Sequence, residues 1–142
     1  MRRLLQTVII ALLALTGSAL ADPVRVQDPG KFCQDLFADI SPFNSSDIAS
    51  KVATTIGNPA ARETLQNALK ILDSKKIDFW KKVIDRDVSG ALRQIVYYAY
   101  VENLGFLYFR LNFKMTSTGW ILANFNFKSE SNELFPKDFV DN

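Results

Sequence analysis

Eight side chains in the last third of the chain carry its recognition chemistry: Tyr98, Tyr100, Tyr108, Arg110, Asn112, Trp120, Asn124 and Asn126. Rings offer contact area at low entropy cost, amides supply donors and acceptors, and one guanidinium supplies a cation. Such a set suits a polar small molecule, a sugar or a peptide. It would equally furnish a homodimer interface through the sheet, where Tyr, Trp and Arg are enriched, or a solvated sheet face held by cross-strand pairs worth about 0.2–1 kcal/mol each. Arg110 is the most telling of the eight. Enclosed without an acid it would cost several kcal/mol, more than the roughly 0.5–2 kcal/mol that a ring face returns, so it is either wet or paired. Glu102 and Glu130 are the acids within reach, and a ligand carboxylate is the functional alternative.

What the chain lacks is as informative. Its 142 residues include no His and one Cys. That removes Ser-His-Asp triads, Cys-His pairs, His-ligated zinc, intrachain disulfides and Cys-based zinc sites. No phosphate loop, metal-ligand cluster or nucleophile elbow is present, so no catalytic residue, metal or cofactor is assigned. Asp85 and Asp87 have the types of paired acid/base carboxylates, but beside Arg86 and before a Ser-Gly turn they read as loop-capping acids. Lys75, Lys76, Lys81 and Lys82 surround Phe79 and Trp80 like a membrane-surface helix. Asp73, Asp78, Asp85 and Asp87 interleave with them, and a solvated helix laced with ion pairs is the preferred reading.

The elements that must position these residues follow from periodicity. A helix is expected over Lys31–Ser41, with Phe32, Cys33, Leu36, Phe37 and Ile40 on one face, so Cys33 reads as core. A second carries Ile48, Val52 and Ile56, capped by Ser45, Ser46 or Asp47 and ended by Gly57. A third has Asn58 as cap, Pro59 in its first turn, and Leu65, Ala68, Leu69 and Leu72 as its stripe. Ile77, Trp80 and Ile84 recur at three and four, which predicts a short fourth helix before Ser89-Gly90.

From Ala91 the period becomes two. Odd positions Leu107, Phe109, Leu111, Phe113 and Met115 are apolar, as are Ile121, Ala123, Phe125 and Phe127, which gives antiparallel strands with one buried face. A loop of Ser117, Thr118 and Gly119 sets Phe113 opposite Ala123, Leu111 opposite Phe125, and Phe109 opposite Phe127. A loop of Asn103, Leu104 and Gly105 sets Val101 opposite Leu107, Ala99 opposite Phe109, and Tyr97 opposite Leu111. The even face then pairs Tyr98 with Arg110, Tyr100 with Tyr108, and Asn112 with Asn124, with Trp120 near the turn. Ala91 to Val101 also fits a helix stripe, but its β-branched and aromatic content favours strand. The sum is an α+β domain: three or four N-terminal helices packed on an antiparallel β-meander of at least three strands.

Residues 1–21 read as a cleaved signal peptide: Arg2 and Arg3, an apolar run from Leu4 to Leu15, then Ala19-Leu20-Ala21 before Asp22. The run is too short and too polar at Gln6 and Thr7 to span a bilayer. Export to the periplasm or beyond is therefore expected. Cleavage removes two Arg and no acid, leaving 15 basic against 15 acidic residues in a formally neutral chain. No nucleic-acid partner is expected, and no membrane contact after cleavage. Residues 22–30 read as an extended entry segment, 31–137 as one domain, and 138–142 as a tail.

The stretch from Tyr97 to Pro136 resembles secreted members of the nuclear transport factor 2-like superfamily, of cystatin-like α+β architecture. Tyr108, Arg110, Phe113, Gly119, Trp120, Leu122, Phe125, Phe127 and Leu134-Phe135-Pro136 carry the likeness. It implies a curved sheet wrapped around helices, often with a pocket, and frequent dimerisation through the sheet. The expected role is an exported, non-catalytic binding or protein-interaction domain for a small polar ligand or a protein partner. The alternative is a small cofactor-free enzyme using Tyr and an acid in a sheet-lined pocket.

Overall fold

The computed structural model describes residues 21–129. They form β1 (Arg25–Val26), α1 (Pro29–Leu36), α2 (Ser45–Ile56), α3 (Ala61–Leu69), a 3-10 turn (Lys70–Leu72), β2 (Ile77–Val88), β3 (Leu92–Val101), β4 (Gly105–Thr116) and β5 (Gly119–Lys128). The architecture is α+β: three α-helices against one face of a curled antiparallel sheet of order β1-β5-β4-β3-β2. The expected signal peptide and the 138–142 tail lie outside the described residues, apart from Ala21.

The helices begin where side chains satisfy their first N–H groups. Asp28 takes an extended conformation and accepts from Gly30 N at 2.8 Å and Lys31 N at 3.2 Å, with Pro29 at the first helical position. So α1 starts two residues before Lys31 and ends at Leu36, short of the expected Ser41. The entry segment is not simply extended, because Arg25 and Val26 pair with Ile121 and Trp120 as an edge strand. This strand precedes all three helices and was not expected. In α2 the cap is Asn44, one residue ahead of the expected candidates, accepting from Asp47 N at 3.0 Å. Asp73 adds a tertiary clamp, accepting from Ser45 N and Ser45 Oγ at 2.7 Å each. The expected stop at Gly57 holds, with φ of 80°. For α3, Asn58 and Pro59 form a preceding turn, their carbonyls accepting from Ala61 and Arg62.

The predicted fourth helix is a strand. Ile77 and Trp80 oppose Val101 and Ala99 on the buried side of β3, whereas Ile84 opposes Val96 on the other side. Register shifts between Ile77 and Phe79 and between Lys82 and Ile84 mark two bulges, at Asp78 and Val83. Each bulge slips the alternation by one, which gives the apolar residues the three-and-four spacing of a helix.

The meander is as expected in its faces but not in every partner. In β3–β4, Tyr97 opposes Phe109, Ala99 opposes Leu107 and Val101 opposes Gly105, two residues from the expected register. An even slip preserves which side each residue faces. In β4–β5, Leu111 opposes Phe125 and Phe109 opposes Phe127 as expected, but Phe113 meets Leu122 and Ala123 is bulged out. The ladder closes on Thr116 and Gly119, so the hairpin is one residue tighter than expected, and the bulge restores the register beyond Asn112. At its tip Thr116 Oγ1 donates to Gly119 O at 2.7 Å.

The core lies between the helices and the odd face. Phe109 is fully buried, with ring centroids of Phe37, Trp80, Phe127, Phe125 and Phe43 at 5.6, 5.6, 6.0, 6.3 and 6.4 Å. Each such buried side chain contributes about 1.5–3 kcal/mol. Cys33 is fully buried beside them, as its place in the stripe predicts.

Candidate functional site

The face of the sheet turned away from the helices is the outer face. Tyr98, Tyr100, Tyr108, Arg110, Asn112, Asn124 and Asn126 share it, because their partners pair even with even throughout β3, β4 and the outer half of β5. Trp120 does not. The Ala123 bulge turns it to the side of Leu122, where it packs against the core. The slipped register also breaks two expected pairs: Tyr98 opposes Tyr108, and Tyr100 opposes Phe106.

The slip gathers rings. Tyr98 lies 5.6 Å from Tyr108, 5.4 Å from Phe106 and 5.7 Å from Phe79, and Tyr100 lies 5.1 Å from Phe106. Phe79 and Phe106 are 49% and 50% exposed, far more than structural rings on a solvated sheet need to be. Phe106 was legible in sequence, since it has the parity of Tyr98. Phe79 was hidden by the helical reading of β2.

Arg110 opposes Val96 and Asn126. With the Asn126 amide oxygen turned towards it, Arg110 Nη2 donates at 3.1 Å, while Nε is buried without an acceptor among the described residues. The Asn124 and Asn126 side chains meet at 2.6 Å, and Gln94 Nε2 donates to Asn112 Oδ1 at 3.0 Å. Below these amides is a shallow depression of about 350 Å³, lined by Arg86, Val88, Leu92, Gln94, Asn112 and Lys114.

Charge is segregated across the sheet. Among the described residues, the charged ones that share the outer face by register are Arg25, Lys81, Arg86, Arg110, Lys114 and Lys128, all cations. Asp85 and Asp87 oppose Ile95 and Arg93 on the inner side. Among the described residues, Lys81, Arg86 and Lys114 make no ion pair (partners of the other salt bridges are elsewhere).

The inner side holds a second arrangement, a cleft of about 720 Å³ whose walls include Asp28, Gln34, Trp80, Lys82, Arg93 and Tyr97. Arg93 donates from Nε and Nη2 to Asp85 at 2.8 and 3.1 Å, and Lys82 Nζ reaches the same carboxylate at 2.8 Å. Hydrogen bonds from Arg93, and then from Lys82, outweigh burial and hold Asp85 down to about 2. Burial pushes the Tyr97 hydroxyl up to about 12. Burial first, then the Asp85 charge, pushes the Cys33 thiol up to about 12. Sequence reasoning missed this cluster because Asp85 was assigned to a loop after a helix.

Among the described residues no group of three or more Cys, Asp or Glu is placed to hold a metal ion, and no helix is long and apolar enough to cross a membrane. Glu130 and the Leu134-Phe135-Pro136 motif lie outside the described residues. Compared with family models, curated proteins and solved structures, the chain matches none.

Proposed function

We propose that this chain is an exported, non-catalytic binding domain of the nuclear transport factor 2-like type, which receives an acidic protein segment on the outer face of its sheet. One observation supports the reading: among the described residues the face unites Phe79, Tyr98, Tyr100, Phe106 and Tyr108 with cations at six positions and no carboxylate. Rings supply apolar contact, the amides of Gln94, Asn112, Asn124 and Asn126 orient a backbone, and the cations select its charge. A second copy fits less well, because a two-fold axis would bring cations against cations. Export through residues 1–21 would deliver the chain beginning at Asp22.

The enzymatic alternative would draw on Tyr97, which lines the inner cleft, and on Asp85, which is bonded to Arg93 and Lys82 of its wall. With Asp85 held down at about 2 and Tyr97 pushed up to about 12, neither is poised to exchange a proton near neutral pH.

The test is titration of the isotope-labelled chain from Asp22 onward with poly-L-glutamate, followed by amide chemical shifts. Salt-sensitive shifts confined to Lys81–Val88, Leu92–Tyr100 and Phe106–Lys114 are expected. Shifts confined to α1 and the inner cleft, or none at low salt, would overturn the reading.

A further inference from the structure

We propose that the depression at the end of the outer face remote from the rings is the subsite for the free C-terminal residue of the acidic partner segment. The apolar side chain of that residue sits on Val88 and Leu92, and its carboxylate lies between Arg86 and Lys114. This role rests on the reading of the face as a recognition surface and names the part of the partner that the surface reads.

The depression is built from two neighbouring rows of side chains on β2, β3 and β4. Arg86 opposes Gln94, which opposes Asn112; one step further along the strands Val88 opposes Leu92, which opposes Lys114. The two cations therefore stand at diagonal corners, one on each flanking strand. Between them is an apolar floor, for Val88 and Leu92 are 43% and 46% exposed. Arg93 borders the same depression, but its guanidinium is bonded to Asp85 on the inner side. The adjoining turn fixes the floor: Asp87 accepts from Gly90 N at 2.7 Å, and Ala91 O accepts from Met115 N at 2.8 Å. A floor already held in place adds little ordering cost to binding. At about 350 Å³ the depression is at the small end of the roughly 300–1,000 Å³ of ligand pockets, a size for one anchoring residue.

The open polar groups define the occupant. Gln94 Nε2 donates to Asn112 Oδ1 at 3.0 Å, which leaves Asn112 Nδ2 as a donor and Gln94 Oε1 as an acceptor, neither bonded among the described residues. The site thus offers two cations and an amide N–H to an anion, one acceptor to an N–H, and carbon to an apolar group. A free C-terminal residue carries its carboxylate, its N–H and its side chain on a single Cα. A glutamate inside a chain holds its carboxylate at the end of its own side chain, and in an extended chain the side chain next to it points to the opposite face. A simple aliphatic acid has no N–H for Gln94. Spacing joins the subsite to the rings. Leu92 and Tyr100 lie on the same strand, about 27 Å apart, so a partner of about eight extended residues ending in the depression reaches back past Arg110 to the ring cluster.

The experiment titrates the isotope-labelled chain from Asp22 onward with two N-acetylated probes of equal charge. One is seven glutamates followed by leucine with a free carboxylate; the other is eight glutamates followed by leucinamide. The free acid should bind about tenfold tighter, with amide shifts at Val88, Leu92, Gln94, Asn112 and Lys114 that the leucinamide probe lacks. Arg86→Gln combined with Lys114→Gln, both at exposed positions, should abolish the preference. Equal binding by the two probes, each shifting the outer face, overturns the C-terminal subsite and leaves the recognition surface standing. A preference that survives the double variant also overturns it, since the carboxylate is then read elsewhere. So does 4-methylpentanoate binding in the depression as tightly as the free-acid probe, because the occupant is then a small free acid. If neither probe nor poly-L-glutamate shifts the outer face at low salt, the recognition surface itself fails and the subsite with it.

Discussion

Arg93 Nε donates to Asp85 Oδ1 at 2.8 Å across the β3–β2 pair, and Nη1 of the same guanidinium lies 3.7 Å from Asp28, the cap of α1. One side chain thus ties the edge strand of the sheet to the start of the first helix. The geometry is bidentate on Asp85, the strong form of the pair. Both partners are about a quarter exposed, so water screens the attraction without abolishing it.

This pair sets an acid-side dependence of stability. Asp85 titrates at about 2 in the folded chain against an ordinary 3.8. A depressed carboxyl contributes stability that is present above its unfolded pKa and is lost as pH falls through the folded one. After allowance for screening the contribution is about 1 kcal/mol, lost between about pH 4 and 2. Urea unfolding at pH 7, 4 and 3 should show Asp85→Asn less stable than the wild type at pH 7, with the gap narrowing at pH 3. A gap that stays constant would clear Asp85 of the effect.

Cys33 should behave as an inert core residue. It is fully buried, and its thiol is pushed up to about 12, so the thiolate is scarce at pH 8 and inaccessible when it forms. Modification by an aromatic disulfide reagent should be slower than that of a free thiol by more than about 100-fold. The rate should rise with urea in parallel with the loss of folded signal. Fast modification of the native chain would mean that α1 opens locally.

Two glycines separate backbone strain from crowding. Gly105 sits at φ 89° with nothing within 4 Å of where a Cβ would be, so Gly105→Ala costs only the left-handed strain, about 1 kcal/mol. Gly57 sits at φ 80°, and a Cβ there would lie 2.7 Å from Pro23 N and 2.9 Å from the Asp22 carbonyl carbon, atoms that a chain beginning at Asp22 retains. Those are backbone atoms of a segment held by Val24 N donating to Thr55 O at 3.0 Å. Gly57→Ala should therefore cost at least about 1 kcal/mol more than Gly105→Ala in chemical denaturation. Equal losses would show that the segment at Asp22–Pro23 yields freely.

The faces of the meander were legible from sequence because parity survives an even slip: Tyr98, Arg110 and Asn124 share a side although Tyr98 meets Tyr108 rather than Arg110. An odd slip does not preserve it. One bulged residue, Ala123, moved Trp120 to the core side, and bulges at Asp78 and Val83 disguised a strand as a helix. Bulges are fixed by how a whole sheet curls, not by the local pattern of apolar residues. The Asp28–Arg93–Asp85 cluster was invisible for the same reason, since it joins a cap, a strand and a bulged edge that periodicity assigned elsewhere. Caps read better, because their chemistry is local; even so, Asn44 rather than Ser45 caps α2, and Ser45 is instead held by Asp73.

Arg110 should prove more important for recognition than for folding. Its aliphatic stem shares the outer face with fully buried Val96, while among the described residues its head meets the Asn126 amide and its Nε has no acceptor. Replacing such a group by an apolar side chain of similar reach removes a desolvation cost and keeps the packing. Arg110→Leu should leave stability within about 1 kcal/mol of the wild type or raise it, while poly-L-glutamate binding weakens severalfold. A stability loss above about 3 kcal/mol would make Arg110 a structural residue instead.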